Sequence, residues 1–125
     1  MDNQKQVDYW RSGSDDDMES AEILLEKKKI QQALFFCHLA LEKILKALFT
    51  HNTGQVPPKT HNLVLLAEKA GLHAPPERMN FLRKFNVWQL EGRYPDTGQA
   101  SLNLTSGRER LEAAKEALNW LKTKF

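Results

Sequence analysis

The chain has 125 residues, of which 41% are hydrophobic, so it can build one core but not two, and we expect a single domain over residues 1–125. Eighteen Lys and Arg against sixteen Asp and Glu leave a net charge of +2, so charge gives no strong argument for nucleic-acid binding. The single cysteine, Cys37, excludes an intrachain disulfide and favours a reducing, cytoplasmic compartment. No signal peptide is expected, and no apolar run approaches the roughly 20 residues that span a bilayer.

Apolar residues at helical spacing predict a first amphipathic helix from about Val7 to Lys29. Its apolar face carries Val7, Trp10, Ser14, Ala21, Leu24, Leu25 and Lys28. Asp17 falls on the same face, where a carboxylate is costly unless it is paired. We therefore expect a neighbouring helix to supply a cation or a hydrogen-bond donor to Asp17.

The second predicted helix, from about Ile30 to Asn52, is the most apolar part of the chain and is expected to be the core helix. Its buried face is predicted to comprise Ile30, Ala33, Leu34, Cys37, Ala40, Leu41, Ile44, Leu45 and Leu48. The opposite arc mixes charged residues with Phe35 and Leu39, so either another helix of the chain or a dimer partner should cover it. Gly54 is predicted to cap the helix, because the prolines that follow cannot continue it.

Three further helices are predicted after this turn. The third begins near Thr60 and ends at Gly71, and the fourth follows Pro75 and Pro76, with Glu77 in its first turn, and runs to about Glu91. Residues 93–105 have the composition of a loop, and the last helix runs from about Ser106 to the end. Five helices, three of them long, predict an all-α, antiparallel, up-and-down bundle.

The sequence shows no pattern for a metal or a bound cofactor, and we expect neither. The four histidines are scattered, and none stands four residues from another as in a helical zinc pair: His38, His51, His61 and His73. No glycine-rich loop of the kind that binds phosphate is present, since the glycines suit helix ends or loops.

A polar ridge on the second helix is the first candidate site. His38, Glu42 and Lys46 follow one another at four-residue steps, so they share one line of the helix surface. In a functional interpretation His38 exchanges a proton, Glu42 orients it, and Lys46 or Lys43 holds a phosphate. In a structural interpretation Glu42 pairs with Lys46 beside a histidine at the core edge. Alternatively, Lys43 or Lys46 is the cation that Asp17 requires.

Two shorter segments are the other candidates. At Gly92-Arg93-Tyr94-Pro95-Asp96 the proline holds Tyr94 extended, and an arginine beside an aromatic ring suits a phosphate and a base. Equally, Arg93 can satisfy helix-end carbonyls while Tyr94 closes the bundle. At Thr60-His61 the default expectation is a helix cap followed by a packing histidine in the first turn.

Residues 33–47, Ala-Leu-Phe-Phe-Cys-His-Leu-Ala-Leu-Glu-Lys-Ile-Leu-Lys-Ala, resemble the signature helix of prokaryotic HEPN-domain proteins. Three other features follow the family's order over nearly the whole chain. They are a first helix with aromatic residues and an Asp (Tyr9, Trp10, Asp17, Ala21), a Pro-x-x-His-x-Leu turn (Pro58, His61, Leu63), and the segment Arg93-Tyr94-Pro95-Asp96.

The resemblance implies an up-and-down bundle, similar to nucleotidyltransferase substrate-binding helical domains and usually dimeric. Such domains are often encoded beside a minimal nucleotidyltransferase in a toxin–antitoxin-like pair, and they handle nucleotides or RNA. Many members are metal-independent ribonucleases with an Arg, four to six intervening residues and a His. No arginine of this chain is followed by a histidine in that window, so the nuclease mechanism does not carry over to named residues.

We therefore expect a non-catalytic HEPN domain that dimerises and binds a nucleotidyltransferase partner or a nucleotide. The expected ligand-binding residues are Lys43, Lys46, His61, Arg93 and Tyr94, and the expected structural polar residues are Asp17 and Glu42. One alternative is a divergent ribonuclease toxin, in which His38 or His61 is the general base and Arg93 stabilises the phosphorane. The other is an interaction bundle without a ligand.

Overall fold

The computed structural model describes residues 3–91 and 103–125, except for the side chains of residues 90 and 91. All the regular secondary structure in these ranges is α-helical. The helices are α1 (Asn3–Glu26), α2 (Ile30–Thr53), α3 (Leu63–Lys69), α4 (Pro76–Phe85), α5 (Val87–Glu91) and α6 (Leu104–Lys122). None of the helices in these two ranges has the length and apolar content that a membrane crossing requires. The chain forms the up-and-down helical bundle that its periodicity predicts.

Helix α2 is the centre of the bundle. Its predicted apolar face is buried from Ala33 to Leu48, and α1 packs along it while α3, α5 and α6 cover other parts. Full burial of each large aliphatic side chain stabilises the fold by about 1.5–3 kcal/mol. Truncating one of them, such as Leu41, would also leave a cavity and cost about 2–5 kcal/mol. The expectation that this segment is the core helix is confirmed.

A three-residue turn separates α1 from α2, where the sequence predicts that one helix follows the other directly. Helix α1 starts at Asn3 and ends at Glu26, whereas the sequence predicts Val7 to Lys29. Lys28 adopts a φ of 63°, in the left-handed region, and this reverses the chain within three residues. Lys28 is consequently exposed and does not extend the apolar face of α1.

The α3 helix starts later than predicted, and the predicted fourth helix is divided in two. Asn62, not Thr60, caps α3, because its side chain accepts hydrogen bonds from the backbone N–H groups of Val64 and Leu65. Helix α4 ends at Phe85, and Asn86 separates it from α5. The described ranges therefore hold six helices rather than five, of which α1, α2 and α6 are the three long ones.

Helix α6 begins two residues before the predicted start. Asn103 caps it through a reciprocal pair of bonds, in which its side chain accepts from Ser106 N at 2.9 Å and Ser106 Oγ accepts from Asn103 N at 3.0 Å. Gly107 then lies against the start of α2. A Cβ atom at this position would stand 2.7 Å from Cγ2 of Ile30, so only glycine permits this approach.

Candidate functional site

The polar ridge of α2 is centred on Glu42, whose carboxylate is buried. Lys46 Nζ donates to Glu42 Oε2 at 2.9 Å, as four-residue spacing on a helix allows. The other oxygen, Oε1, accepts from Nδ1 of His61 at 2.9 Å and lies 4.0 Å from Nδ1 of His38. One carboxylate thus joins two turns of α2 to the connection that leads into α3.

A second ion pair joins α2 to α1 through Lys43, the residue that follows Glu42. Lys43 Nζ is 2.9 Å from Oδ2 of the buried Asp17, at an angle that does not meet hydrogen-bond geometry. The aliphatic stem of Lys43 crosses α1 at Gly13, where a Cβ atom would stand 3.1 Å from Lys43 Cδ. Lys43 is therefore the cation that the position of Asp17 on the apolar face requires. We call these two ion pairs, with His38 and His61, the α2 cluster.

His38 is the least accessible member of the α2 cluster, with 0% of its surface exposed. Neither ring nitrogen has a hydrogen-bond partner in the described part of the chain. Burial lowers the pKa of His38, although the nearby carboxylate of Glu42 favours its protonated form. The imidazole is therefore neutral near pH 7 and packs as an uncharged group.

The segment that carries His61 is positioned by two asparagines. Asn86 Oδ1 accepts from the backbone N–H of Leu63 at 2.9 Å, and Asn86 Nδ2 donates to Asn62 Oδ1 at 3.1 Å. Thr60 Oγ1 accepts from Asn62 N instead of capping α3, so His61 precedes the helix and does not stand in its first turn. Its side chain is 54% exposed while Nδ1 is held by Glu42.

Trp10 extends the α2 cluster on the side of α1. Lys46 Nζ lies 5.3 Å from the centre of the Trp10 ring, within cation–π range, and the ring of Tyr9 meets Trp10 edge to face. The sequence marks Trp10 as part of an apolar face and of the family resemblance, but not as a neighbour of Lys46. Spacing along α1 offers no sign that Lys46 approaches from α2, because that contact is tertiary.

The structure brings together most, but not all, of the residues that the sequence singles out. Asp17, Glu42, Lys43, Lys46 and His61 form the two adjacent groups of contacts described above. The remaining candidates, Arg93 and Tyr94, lie outside the described residues. The sequence did not point to Asn62 and Asn86, which hold the His61 segment in place.

The described residues also include a buried cysteine and dispersed side chains of the types that bind metals. No three or more His, Cys, Asp or Glu side chains there could hold a metal ion. Burial raises the pKa of the Cys37 thiol to about 12, with a smaller contribution from Glu22, so the thiolate that a nucleophile requires is not formed near neutral pH.

A separate groove lies between α4–α5 and α6. It has a volume of about 570 Å³, and aromatic rings of Phe81, Phe85 and Trp88 form part of its wall. Lys84 from α4 and Arg110 from α6 also line it, and the Arg110 guanidinium lies 5.7 Å from the centre of the Trp88 ring. None of the residues of the α2 cluster contributes to this groove.

The fold and family of the chain are clear from comparison with known proteins. The solved structure of TT1696 from Thermus thermophilus superimposes with a TM-score of 0.83 over 96% of this chain and 98% of that one, at 20% sequence identity. That likeness shows the fold. No curated protein sequence matches the chain. A model of the HEPN domain matches residues 7–124, nearly the whole length, and the chain therefore belongs to the HEPN domain family.

Proposed function

We propose that this HEPN domain is a non-catalytic binding module for a protein partner, a nucleotidyltransferase in a toxin–antitoxin-like pair. The observation that carries the proposal is the pairing of both core-helix lysines with carboxylates. Lys43 and Lys46 each lie 2.9 Å from an acidic oxygen, and the two positive charges are balanced by Asp17 and Glu42. A phosphate approaching either ammonium would also approach a carboxylate, which opposes its binding.

The burial of His38 supports a binding role over the ribonuclease alternative. A general base must come within about 2.6–3.2 Å of the proton that it removes. His38 has no exposed surface, so an RNA 2′-hydroxyl would reach it only after the helices separate. His61 is accessible, but its Nδ1 is held by Glu42, and the Arg-x(4–6)-His spacing of catalytic relatives is absent.

The surface around the α2 cluster suits contact with another protein. Tyr9 is 69% exposed, and Trp10, Lys46 and His61 are partly exposed beside it. Aromatic residues are enriched in protein interfaces because they combine a large apolar area with a polar tip. The half-buried Phe35 on the outer arc of α2 adds apolar surface that a homodimer or the partner would cover. We refer to this region as the Tyr9–His61 surface.

The proposal requires a nucleotidyltransferase gene beside that of this chain, and the direct test is complex formation between the two proteins, measured by light scattering after gel filtration. We expect a stable complex that Tyr9→Ala weakens at least tenfold, while Ile23→Ala, which truncates another exposed apolar residue of α1, leaves it intact. Thermal melting of both variants checks that the fold is unchanged. No complex, or equal binding by the two variants, would overturn the proposal for this surface.

An RNA-cleavage assay separates the proposal from the ribonuclease alternative. The purified chain is incubated with labelled RNA in the presence of a chelator, and we expect no cleavage above that of a His61→Ala control. Cleavage that the wild-type chain shows and the His61→Ala variant loses would establish an enzyme instead. The gel-filtration profile of the same variant would then tell whether the loss comes from the site or from the oligomeric state.

A nucleotide is the second candidate ligand, favoured by the indole of Trp10 beside Lys46 and the accessible imidazole of His61. Two aromatic groups flanking a cation suit a base and a phosphate. Melting temperatures measured with ATP, GTP and their monophosphates test this, since a ligand that binds only the folded state raises the melting temperature. A concentration-dependent rise that Lys46→Ala abolishes would support this candidate, and the absence of any rise would leave protein binding alone.

A further inference from the structure

The groove between α4–α5 and α6 has the size of a binding site. Its volume of about 570 Å³ lies within the roughly 300–1,000 Å³ that is usual for ligand sites. The aromatic rings of Phe81, Phe85 and Trp88 give it an apolar wall, and it opens to solvent along the exposed Lys84 and Glu109. The groove is distinct from the Tyr9–His61 surface, and nothing in the proposed function requires it.

The cations that line this groove are, like most cations of the described residues, not part of an ion pair. Five cations pair with a carboxylate at 4.0 Å or less: Lys43, Lys46, Arg78, Lys115 and Lys122. Lys84 and Arg110 have no such carboxylate in the part of the chain that the structure describes. Arg110 makes one long bond of 3.5 Å to the Ser106 carbonyl and lies over Trp88.

The charge of the groove therefore favours an anionic ligand. Two cations, Lys84 and Arg110, face one acidic residue, Glu109. Ser106 belongs to the first turn of α6, where the helix dipole adds a partial positive charge. The positive groups come from both sides of the groove, from α4 and from α6, so a ligand with more than one negative charge would complement it best.

The apolar wall narrows the class of ligand further. A nucleobase could stack on one of its aromatic rings, but the wall also includes the aliphatic side chains of Val87 and Ala113, which a planar base would cover less well than a rounded apolar group. Burying an aliphatic or phenyl side chain there contributes about 1.5–3 kcal/mol. The charged groups at the edges would then meet residues on either side of the buried side chain.

We infer that this groove binds a short acidic segment of a partner protein. One aliphatic or aromatic side chain of the segment packs against Phe81 and Trp88, and flanking Asp or Glu residues pair with Lys84 and Arg110. This arrangement uses two cations that form no ion pair within the described residues, and it leaves the Tyr9–His61 surface free for the partner described above. The groove is thus a second interaction site, on another part of the bundle.

The test uses fluorescein-labelled hexapeptides in which Phe, Leu or Ala is flanked by Asp and Glu, with binding to the full-length protein measured by fluorescence polarisation. We expect the Phe and Leu peptides to bind at least tenfold more tightly than the Ala peptide, with affinity falling as salt is raised. Arg110→Glu should weaken binding at least tenfold. Arg108→Glu is the matched control, since Arg108 lies on α6 but lines a different depression, beside Glu22 and Leu25.

Several outcomes would overturn the inference. One is binding that is the same for the Phe and Ala peptides, or that Arg108→Glu and Arg110→Glu weaken equally. Another is displacement of the peptides by inorganic phosphate or AMP at similar concentrations, which would mean a general anion site. The absence of binding by any of the peptides would also reject it. Melting temperatures of all variants verify that they are folded.

Discussion

The α2 cluster and the groove both contain cations beside aromatic rings, but the cations of the cluster are paired and largely covered whereas those of the groove line an open space. In the cluster, Lys43 and Lys46 lie 2.9 Å from carboxylates and are largely covered, with 31% and 12% of their side chains exposed. In the groove, Lys84 and Arg110 line an open space beside aromatic rings. A lysine on a conspicuous polar ridge can therefore serve the fold, while a less conspicuous one is available for a ligand. The two roles differ in ion pairing: Lys43 and Lys46 each pair with a carboxylate, whereas Lys84 and Arg110 form no ion pair within the described residues.

The largest expected effect tests the structural role of the cluster. Glu42→Gln keeps the shape of the side chain but removes the charge that Lys46 and His61 contact. Because breaking a buried ion pair leaves an uncompensated charge, we expect the free energy of unfolding to fall by about 3 kcal/mol. Urea denaturation followed by circular dichroism measures it. Glu68→Gln, at an exposed position of α3, is the control, and equal losses in the two variants would contradict a structural cluster.

A smaller loss is expected at the other ion pair. Asp17→Asn removes the partner of Lys43, but this lysine is partly exposed and can be hydrated once released. We expect a loss of about 1–2 kcal/mol, between the values for surface and buried pairs. The same denaturation experiment on Asp16→Asn, an exposed neighbour, should show almost no change. A loss as large as that of Glu42→Gln would mean that Lys43 cannot reach solvent.

The buried histidine of the cluster predicts a dependence of stability on pH. Burial lowers the pKa of His38, so the unfolded chain binds the proton more readily than the folded one. This contribution is fully present above the unfolded value of about 6.5 and is lost as pH falls through the lower, folded value. Melting temperatures between pH 7.5 and 5 should fall less steeply in His38→Gln than in wild type. The same change at the exposed His73 should leave the slope unaltered.

The smallest expected effect concerns the groove. Arg110→Glu removes no ion pair of the described residues, so the free energy of unfolding should change by less than about 0.5 kcal/mol. The α2 cluster and the groove are shown to have different roles if Arg110→Glu retains full stability and loses peptide binding while Glu42→Gln loses stability. A destabilisation by Arg110→Glu comparable to that of Asp17→Asn would show that Arg110 supports the fold.

The sequence predicts the core of this bundle well because helical periodicity is a local property. Spacing alone predicts that the apolar face of α2 is buried from Ala33 to Leu48. It also places the Asp17 carboxylate on the apolar face of α1, where a nearby cation is needed to balance its charge. Which lysine of α2 pairs with Asp17 depends on how α1 and α2 pack against each other. Spacing left Lys43 and Lys46 as equal choices, and the passage of the Lys43 stem over Gly13 decides between them.

The features that escaped sequence analysis all depend on contacts between distant segments. Asn86 interrupts a segment with helical periodicity because its side chain bonds to Leu63, 23 residues earlier. His61 reaches Glu42 across the connection to α3, so its role is invisible to a search along one helix. The sequence does not predict the groove for the same reason, since Lys84 and Arg110 line one groove only because α4 and α6 are neighbours in the bundle.

Gly107 lies between Ile30 and the groove, so its substitution is expected to affect both packing and binding, which matters for the interpretation of genetic screens. It stands against Ile30 in the core, one residue after Ser106 and one helical turn from Arg110, both of which line the groove. A side chain here would require either the Ile30 side chain or α6 itself to move, and a shift of α6 would carry both groove residues with it. Substitutions of Gly107 should therefore appear among mutants selected for loss of a binding partner, although this glycine touches no partner, and a stability measurement will separate them from true contact residues.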